Sequence, residues 1–358
     1  MVKIINDESK TNNNFLFGAG GAASWVLQGF VREGIPINGF LDDAADRIRT
    51  VGNLPVHAPD SVHVSLSQRN KSTVIFAVMN PAVNESVTRD RLLGLGWGEV
   101  LSFGEFGRNA YRSSGKLCSM LDASDVGNHK RELAATRTLL SDDHSRQVFD
   151  AFVAFVTQLD DSGFPEITPN PYFPADLPRW PQQLRMIDCG AFDGDSVRAA
   201  IKHGYNIEAS ISFEPDPANF ANLAQNNYAI PDAMAWPCGV LDRTTMLQFS
   251  AQGDTGSSIS NNGGISIQCV KLDDVIPHFA PNMIKLDIEG SEEAALRGAE
   301  TIIRSSRTGL AVSVYHLPTD IWRIPLYLSS VIGPKCQFYL RRHSRTIADT
   351  VLYVYPER

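Results

Sequence analysis

The eleven residues from Met186 to Ser196 limit most strongly what this chain can fold into. An apolar run ends at Asp188, passes a turn of small residues around Gly190, and continues into a segment whose apolar residues have helical spacing. Glycine allows backbone conformations, and a close approach of a ligand, that a side chain would prevent. The first N–H groups of a helix have no partner within the helix and can bind a ligand above such a loop. The stretch therefore predicts a strand, a ligand-binding loop and a helix.

A second apolar run, Ile211 to Phe213, ends at Glu214, which lies 24 residues beyond Gly190. An acid at this distance, at the end of the second strand of a βαβ unit, is placed to accept hydrogen bonds from the hydroxyls of a ribose. The alternative is an ordinary strand-to-helix turn with acids on the surface, but the position of Glu214 favours a nucleotide-like ligand.

The charges around the loop indicate which ligand to expect. The loop lacks the dinucleotide fingerprint G-x-G-x-x-G, and its two glycines are surrounded by Asp188, Asp193 and Asp195. These carboxylates would repel a pyrophosphate and attract a ligand with an amino group and a sulfonium. The sequence therefore predicts S-adenosylmethionine rather than NAD, in a pattern similar to the first motif of class I methyltransferases. The predicted cofactor-binding residues are Asp188, Gly190, Ala191, Phe192, Asp193, Gly194, Asp195, Glu214, Pro215, Asp216, Gly239, Val240, Ser257 and Asp287.

Composition and charge argue against several classes of protein. The chain has 358 residues, of which 43% are hydrophobic, and a formal net charge of −8. This charge argues against nucleic acid or an acidic membrane surface as the main partner, and no apolar run reaches the roughly 20 residues of a membrane span. The five cysteines are scattered without a C-x-x-C pair, which is typical of reduced thiols in a cytoplasmic protein.

The front of the chain carries a second loop of the same kind. The apolar Phe15–Phe17 leads into Gly18, Gly20 and Gly21, and a helical run follows. Asp42, at the end of the next predicted strand, lies 22 residues beyond Gly20. This pattern resembles a dinucleotide-binding fingerprint. A nucleotide site at these residues and a scaffold used only for packing or oligomerisation both remain open.

Four segments are predicted from these patterns. Residues 1–14 are polar and form a flexible tail, and residues 15–105 form a small Rossmann-like domain. Residues 106–180 form a helical and Pro-rich connector, and strands and helices alternate in residues 181–358. The predicted fold class is α/β, with two doubly wound domains joined by the connector.

Polar residues follow successive strands in the last segment. Ligands in such sheets bind beyond the carboxyl ends of the strands. These ends carry Asp188, Glu214, Gly239, Asp287 and His316. We expect them to meet at one edge of one sheet and to form the ligand site there. Two late apolar stretches, residues 337–340 and 350–354, are expected to close the sheet as an antiparallel hairpin.

Five motifs give the chain a specific resemblance to a known family. They are Asp188–Asp195, Phe213–Pro215, Ile284–Gly290 with its K-x-D-x-E-G element, Ser313–His316 and Thr350–Tyr353. Together they resemble an FkbM-type methyltransferase over roughly residues 130–355. The resemblance implies a class I methyltransferase fold, S-adenosylmethionine as cofactor, and O-methylation of a hydroxyl on a sugar, a glycan or a natural product. The front domain resembles the small Rossmann-like modules of sugar-modifying enzymes.

Methyl transfer to an alkyl hydroxyl benefits from a general base, because the hydroxyl is a poor nucleophile. His316 is the first candidate, since histidine titrates near neutral pH, and Asp287 could act as the base or orient the methionine end. Asp287, Glu289 and His316 could instead hold Mg²⁺ or Mn²⁺. Glu289 is expected rather to secure the start of the following helix, and the need for a divalent metal is left open.

Two rival functions remain open from the sequence. One is a non-catalytic nucleotide-binding or assembly subunit, and the other is an NAD-dependent enzyme that uses the N-terminal domain. The expected partner is a small-molecule or saccharide substrate, without nucleic acid or a membrane span. Self-association into a homo-oligomer is left open.

Overall fold

The computed structural model describes most of the chain, and the chain divides into two compact units. The described residues are 13–20, 23–32, 34–78, 80, 83–111, 128–158, 160–227, 230, 232–251, 258–259, 263–305, 307–333 and 336–356. Unit 1 consists of residues 1–123 and 154–162, and unit 2 of residues 124–153 and 163–358. The residues of the predicted connector are therefore divided between the two units.

Unit 1 is built on a six-stranded sheet. Its elements are β1 (Asn13–Phe17), α1 (Ala23–Arg32), β2 (Gly39–Leu41), β3 (Thr50–Val51), β4 (Leu54–His57), α2 (Leu66–Arg69), β5 (Ser72–Phe76), α3 (Glu85–Gly94), β6 (Glu99–Ser102) and α4 (Phe103–Tyr111). The strand order is β3-β4-β2-β1-β5-β6, and all neighbours are parallel except β3 and β4. The first strand begins at Asn13, inside the segment predicted as a tail.

Unit 2 contains the remaining elements, with the last residues of α6 assigned to unit 1. They are α5 (Lys130–Leu139), α6 (Asp143–Gln158), β7 (Gln183–Cys189), α7 (Asp195–Lys202), β8 (Asn206–Phe213), α8 (Pro217–Asn227), β9 (Ala233–Trp236), β10 (Gly239–Val240), β11 (Thr245–Ser250), β12 (Ser258–Ile259), β13 (Ile265–Val270), α9 (Leu272–Val275), β14 (Met283–Leu286), α10 (Glu292–Gly298), α11 (Glu300–Ser305), β15 (Gly309–Ser313), α12 (Asp320–Ile332), β16 (Cys336–Arg342) and β17 (Thr350–Pro356).

The main sheet of unit 2 has seven strands in the order β16-β17-β15-β14-β7-β8-β9. The five strands from β15 to β9 are parallel, so their carboxyl ends lie at one edge. The last strand, β17, lies between β15 and β16 and is antiparallel to both, which confirms the predicted closing hairpin. Cys189 of β7 is paired with Leu286 of β14 and with Phe213 of β8. The residues that follow these three strands therefore leave the sheet at the same level.

The central strands are mostly apolar because both faces of the sheet are covered, and the buried Lys285 of β14 and Asp188 of β7 pair with each other. All four residues of β14 and all five of β15 are buried, as expected for parallel strands with helices on both sides. The continuous apolar runs that predicted these strands reflect this two-sided burial.

One expectation about this sheet is wrong. Strands β10 to β13 do not continue the main sheet but form a separate four-stranded sheet, in the order β10-β13-β11-β12. Strands β11 and β13 pair antiparallel without an intervening helix, whereas a parallel crossover needs a dozen or more residues and usually a helix. Gly239 begins this second sheet three residues after the end of β9, the edge strand of the main sheet, so it still lies beyond a carboxyl end of that sheet, as predicted.

The segment after Gly290 forms two short helices, α10 and α11. Ser291 occupies the N-cap position of α10, but its side chain makes no capping hydrogen bond. Gly298 ends α10 in close contact with the backbone of Leu241, where a Cβ would overlap the carbonyl oxygen. Among the described helices of the chain, none is long and apolar enough to cross a membrane.

Replacement of Gly309, the first residue of β15, by alanine is expected to lower the free energy of unfolding by about 1–3 kcal/mol, as overpacking of a dense core does. The added Cβ would overlap the ring of Trp180, which is buried and stacks on Tyr355 with 4.3 Å between ring centroids. Urea denaturation measures the difference. Gly264→Ala is the control, because nothing lies within 4 Å of its added Cβ. Equal effects of the two substitutions would contradict this account of the packing.

Candidate active site

A cavity of about 360 Å³ lies at the edge of the main sheet where the parallel strands end. Its size falls within the range of small-molecule sites. It is lined by residues that follow β7, β8, β14 and β15, by two residues of the Pro-rich segment and by residues of the second sheet. Its lining residues include Tyr172, Gly190, Phe192, Asp195, Glu214, Gly239, Val240, Lys285, Asp287, Glu289, Tyr315 and Asp349.

The loop after β7 must begin with glycine. Gly190 has a φ of 75°, and a Cβ at this position would overlap the backbone carbonyl oxygen of Asp287. The N–H groups of Gly190 and Ala191 both donate to the carbonyl of Phe213, at 3.0 Å each. The loop is thus attached to the ends of both neighbouring strands, which is the close approach that the glycine pattern predicted.

Glu214, the first residue after β8, is joined to this loop. Its Oε2 accepts the N–H of Phe192 at 2.8 Å, and its Oε1 accepts the N–H of Asp216 at 2.9 Å. The side chain is buried at the cavity wall, and burial raises the pKa of Glu214 to about 6. The sequence spacing that predicted a ribose-binding acid therefore corresponds to a carboxylate fixed beside the loop.

Asp188 lies beneath the cavity rather than at its wall. Its side chain is fully buried, 3.1 Å from the Nζ of Lys285, which also donates to the carbonyl of Gly190. Burial raises the pKa of Asp188 to about 6. Burial alone would lower the pKa of Lys285, but the carboxylates of Asp188, Asp287 and Asp195 raise it above its ordinary value. The lysine is therefore charged and balances acids on both sides of the strand ends.

Asp287 is held by two phenols. Its Oδ2 accepts the hydroxyl of Tyr172 at 2.8 Å, and its Oδ1 accepts the hydroxyl of Tyr315 at 3.4 Å. Burial would raise the pKa of Asp287, but Lys285 and His316 lower it, so the carboxylate is ionised. Burial, with the negative charge of Asp287, raises the pKa of both tyrosines well above 10, so both remain hydrogen-bond donors.

His316 stands behind Asp287 and does not line the cavity. Its Nδ1 is 2.8 Å from Oε1 of Glu292, and its Nε2 is 3.6 Å from Oδ1 of Asp287 and 3.5 Å from Oε2 of Glu289. Burial would lower the pKa of His316, but Glu292 and Glu289 raise it well above 6.5. The two predicted catalytic residues are therefore neighbours, with Asp287 nearer to any ligand.

The Pro-rich segment supplies Tyr172, which sequence reasoning did not assign to the site. The N–H of Tyr172 donates to the hydroxyl of Tyr353 at 2.9 Å, and its carbonyl accepts from the indole of Trp180 at 2.8 Å. The hydroxyl of Tyr353 is in turn 2.8 Å from Nε2 of His343. An irregular segment has no periodicity, so the sequence carried no signal that could have found this contact with Asp287.

Backbone strain is concentrated at the cavity. Seven non-glycine residues of the described chain have positive φ angles. Four of them line the cavity, namely Tyr172, Phe192, Glu289 and Asp349. Such conformations cost on the order of 1–3 kcal/mol each and persist only where surrounding contacts impose them, often at ligand sites.

The other predicted cofactor residues have different places. Pro215, Gly239 and Val240 line the cavity. Gly194, at the left-handed N-cap of α7, and Ala191 are buried without lining it. Two acids have local partners, since Asp193 pairs with Arg198 at 2.7 Å and Asp216 accepts the N–H of Ala218 at 2.8 Å. Ser257 lies outside the described residues.

In the predicted N-terminal site, Asp42 accepts two backbone N–H groups, as Glu214 does in unit 2. Oδ2 of Asp42 accepts the N–H of Ala19 at 2.7 Å, and its Oδ1 accepts the N–H of Ala44 at 2.8 Å. Gly18 has a φ of 112° beside Val78, and Gly20 is exposed. Gly21 lies outside the described residues. The acid and the glycine loop are therefore together in unit 1, and nucleotide binding there stays a prediction.

The protein is an α/β protein whose cavity lies beyond the carboxyl ends of parallel strands, among acidic side chains. Residues 188–341, less than half of the chain, match the sequence profile of the methyltransferase FkbM domain. Over these residues the match confirms the resemblance that the motifs predicted. No curated protein matches the chain at a significant level.

A solved structure shares this fold. Methyltransferase FkbM from Methylobacillus flagellatus KT has 22% sequence identity, with a TM-score of 0.71 over 96% of this chain and 90% of its own. At that identity the likeness shows the fold alone. An rRNA methylase from Streptococcus thermophilus (10% identity, 50% of this chain, 90% of its own, TM-score 0.31) and Aeropyrum pernix fibrillarin with bound S-adenosyl-L-methionine (10%, 50%, 70%, 0.30) are too distant to support an argument.

Removal of one member of the buried ion pair between Asp188 and Lys285 is expected to destabilise the fold. Lys285→Met is expected to lower the free energy of unfolding by about 3–5 kcal/mol, because it leaves the carboxylate of Asp188 buried without a compensating charge. The double variant Asp188→Asn/Lys285→Met should recover part of this loss. Urea denaturation measures both, with Lys271→Met, a partly exposed lysine, as the control. A double variant no more stable than Lys285→Met would refute the pairing.

Proposed function

We propose that the chain is an S-adenosylmethionine-dependent methyltransferase that methylates a hydroxyl oxygen on a sugar, a glycan or a natural product. One observation carries the proposal. The carboxylate of Glu214 accepts the N–H of Phe192, so the acid after β8 and the loop after β7 face the same cavity. This is the arrangement in which α/β sheets bind a nucleoside.

The charge of the cavity wall supports this cofactor over a dinucleotide. Among the described lining residues, five carboxylates face one lysine: Asp195, Glu214, Asp287, Glu289 and Asp349 against Lys285. A sulfonium and an amino group are attracted to such a wall, and the two phosphates of NAD are repelled by it. The same excess of acids argues against NAD as the ligand of this cavity and does not bear on the NAD-dependent alternative, which uses the N-terminal domain.

We assign the ribose, the methionine end and the adenine of the cofactor to different residues of the cavity wall. Each oxygen of Glu214 accepts one N–H and keeps a further lone pair for a ribose hydroxyl. The methionine end lies over the loop from Gly190 to Asp195, and the adenine lies against the apolar wall that includes Val240 and Ile267. The second sheet, which supplies these two side chains, thereby gains a role in binding.

Methyl transfer then occurs on the side of Asp287. The acceptor oxygen forms a bond to the methyl carbon, the carbon–sulfur bond breaks, and its electron pair stays on sulfur in S-adenosylhomocysteine. The sequence made His316 the first candidate for the base, but Asp287 lines the cavity and His316 does not. We therefore propose that Asp287 contacts the acceptor hydroxyl and accepts its proton, and that His316 orients Asp287 from behind.

Equilibrium dialysis of the full chain against labelled S-adenosylmethionine and labelled NAD tests the cofactor. Unit 2 is expected to retain S-adenosylmethionine, and Glu214→Ala should weaken its binding by about 10- to 100-fold, since hydrogen bonds to a charged group contribute about 1.5–3 kcal/mol. Glu208→Ala is the control, because this acid lies on the same strand, half exposed and paired with Arg185. Retention of NAD alone, or equal affinity of both variants for S-adenosylmethionine, would refute the assignment.

Release of S-adenosylhomocysteine in the presence of a panel of saccharides and of matched amino compounds tests the acceptor. We expect product with hydroxyl acceptors, and a rate reduced by about 10²- to 10⁴-fold in Asp287→Asn, the usual contribution of a general base. The affinity for S-adenosylmethionine should change far less. Methylation of the amines alone, or full activity of Asp287→Asn, would contradict the proposed chemistry.

A further inference from the structure

We propose that Tyr172 positions the carboxylate of Asp287 for the acceptor, and that Tyr353 and His343 in turn hold Tyr172 in place. Tyr172 lines the cavity and contacts Asp287, whereas Tyr353 and His343 do not line it and act through Tyr172. The effect on methyl transfer rests on the proposed function, but the coupling between these four side chains does not.

Tyr172 makes a short hydrogen bond to the side chain of Asp287. Its hydroxyl donates to Oδ2 at 2.8 Å, the usual length of a hydrogen bond between two oxygens. Oδ1 has longer contacts, 3.4 Å to the hydroxyl of Tyr315 and 3.6 Å to Nε2 of His316. Tyr172 therefore fixes the orientation of the carboxylate and leaves Oδ1 with a lone pair for the proton of the acceptor.

The backbone of Tyr172 needs support to hold this position. Its φ is 67°, in the left-handed region that bulky side chains rarely adopt. Such a conformation persists where surrounding contacts impose it. Here the N–H of Tyr172 donates to the hydroxyl of Tyr353 at 2.9 Å, and its carbonyl accepts the indole N–H of Trp180 at 2.8 Å. Tyr353 and Trp180 thus fix the backbone that directs the phenol toward Asp287.

His343 fixes the orientation of the Tyr353 hydroxyl. Nδ1 of His343 is 2.7 Å from the carbonyl oxygen of Thr168, and a carbonyl can only accept, so Nδ1 carries the hydrogen. Nε2, which is 2.8 Å from the hydroxyl of Tyr353, then accepts from that hydroxyl, and the phenol oxygen accepts the N–H of Tyr172. Burial lowers the pKa of His343 to about 4, which keeps the ring neutral. Every donor in this chain of hydrogen bonds therefore has an acceptor.

The Pro-rich segment has other attachments, so Tyr172 can lose its support without release of the segment. The N–H of Thr168 donates to the carbonyl of Arg342 at 2.9 Å, and the carboxylate of Asp176 accepts from Nε of Arg341 at 2.7 Å. Removal of the Tyr353 hydroxyl alone leaves these bonds in place. A positioning role can therefore be separated from a structural one.

NMR of the full chain with isotope-labelled aspartate carboxyl groups tests the coupling without a substrate. The resonance of Asp287 is identified by its loss in Asp287→Asn. It should move by more than its linewidth in Tyr172→Phe, because the carboxylate loses a hydrogen bond. It should move in the same direction, but less, in Tyr353→Phe, because the phenol of Tyr172 is then held less firmly.

Tyr339→Phe is the matched control, because Tyr339 lies opposite Tyr353 in the pairing of β16 with β17 and its hydroxyl makes no hydrogen bond to a described residue. It should leave the resonance of Asp287 in place. The double variant Tyr172→Phe/Tyr353→Phe should match Tyr172→Phe, because the coupling through Tyr172 is then already lost. If thermal unfolding shows that Tyr353→Phe does not fold, His343→Leu replaces it, since this change removes the acceptor of the Tyr353 hydroxyl.

An Asp287 resonance that Tyr353→Phe does not move, or moves equally in the Tyr172→Phe background, would overturn the proposal. Both results are read on folded protein and need neither cofactor nor acceptor.

Release of S-adenosylhomocysteine with the panel of saccharides measures the effect on catalysis. Tyr172→Phe and Tyr353→Phe should lower the rate at saturating saccharide by about 10- to 100-fold, because a small misplacement of a reacting group can cost about 10²-fold. The affinity for S-adenosylmethionine should stay unchanged. Full rates in both variants would overturn the positioning role. A wild type that binds no S-adenosylmethionine would refute the proposed function, whereas the NMR comparison would still decide the coupling.

Discussion

The site depends on the close contact between the ends of β7 and β14, the two central strands of the main sheet. Gly190 and the carbonyl of Asp287 are in contact with no room for a Cβ, and Lys285 joins the two strand ends through Asp188 and the carbonyl of Gly190. The ion pair is buried, so water does not screen it, and either side chain alone would be an uncompensated charge. The loop after β7 and the turn after β14 are therefore held in one relative position. This contact between the two strand ends fixes the shape of the cavity wall.

Strain and charge are concentrated where the strands end. Phe192 and Glu289, which both line the cavity, adopt left-handed backbone conformations, and the hydrogen bonds of Glu214 and Glu292 hold the adjoining turns. Two of the five carboxylates at the wall, those of Glu214 and Asp287, are already held by hydrogen bonds before a cationic ligand arrives. This part of the pocket is therefore preorganised. The stability of the dense core beneath the cavity offsets the free-energy cost of the strained backbone and the buried acids.

Much of this arrangement could be predicted from the sequence, for a physical reason. The buried parallel strands read as continuous apolar runs, and the glycine turn and the acid after β8 have fixed spacing, so the loop and Glu214 were found correctly together. Asp188 was expected at the wall but lies beneath it, because sequence spacing does not show to which side a strand-end side chain turns. Strands β10 to β13 were not distinguished from the main sheet, since strands of a second sheet have the same local pattern. Tyr172 and Glu292 were missed, because an irregular segment has no period and an acid in a first helical turn looks like an ordinary dipole partner.

The position of β17 has a consequence for how this domain is delimited. The family match begins within β7 and stops within β16, whereas β17, residues Thr350–Pro356, is an interior strand between β15 and β16. A polypeptide cut at the limits of the match would lose β17. It would also lose the hydroxyl of Tyr353, which accepts the N–H of Tyr172. The matched segment is thus shorter than the sheet that supports the cavity. Because β17 is an interior strand, the sheet beneath the cavity can be completed only after residues 350–356 have been synthesised.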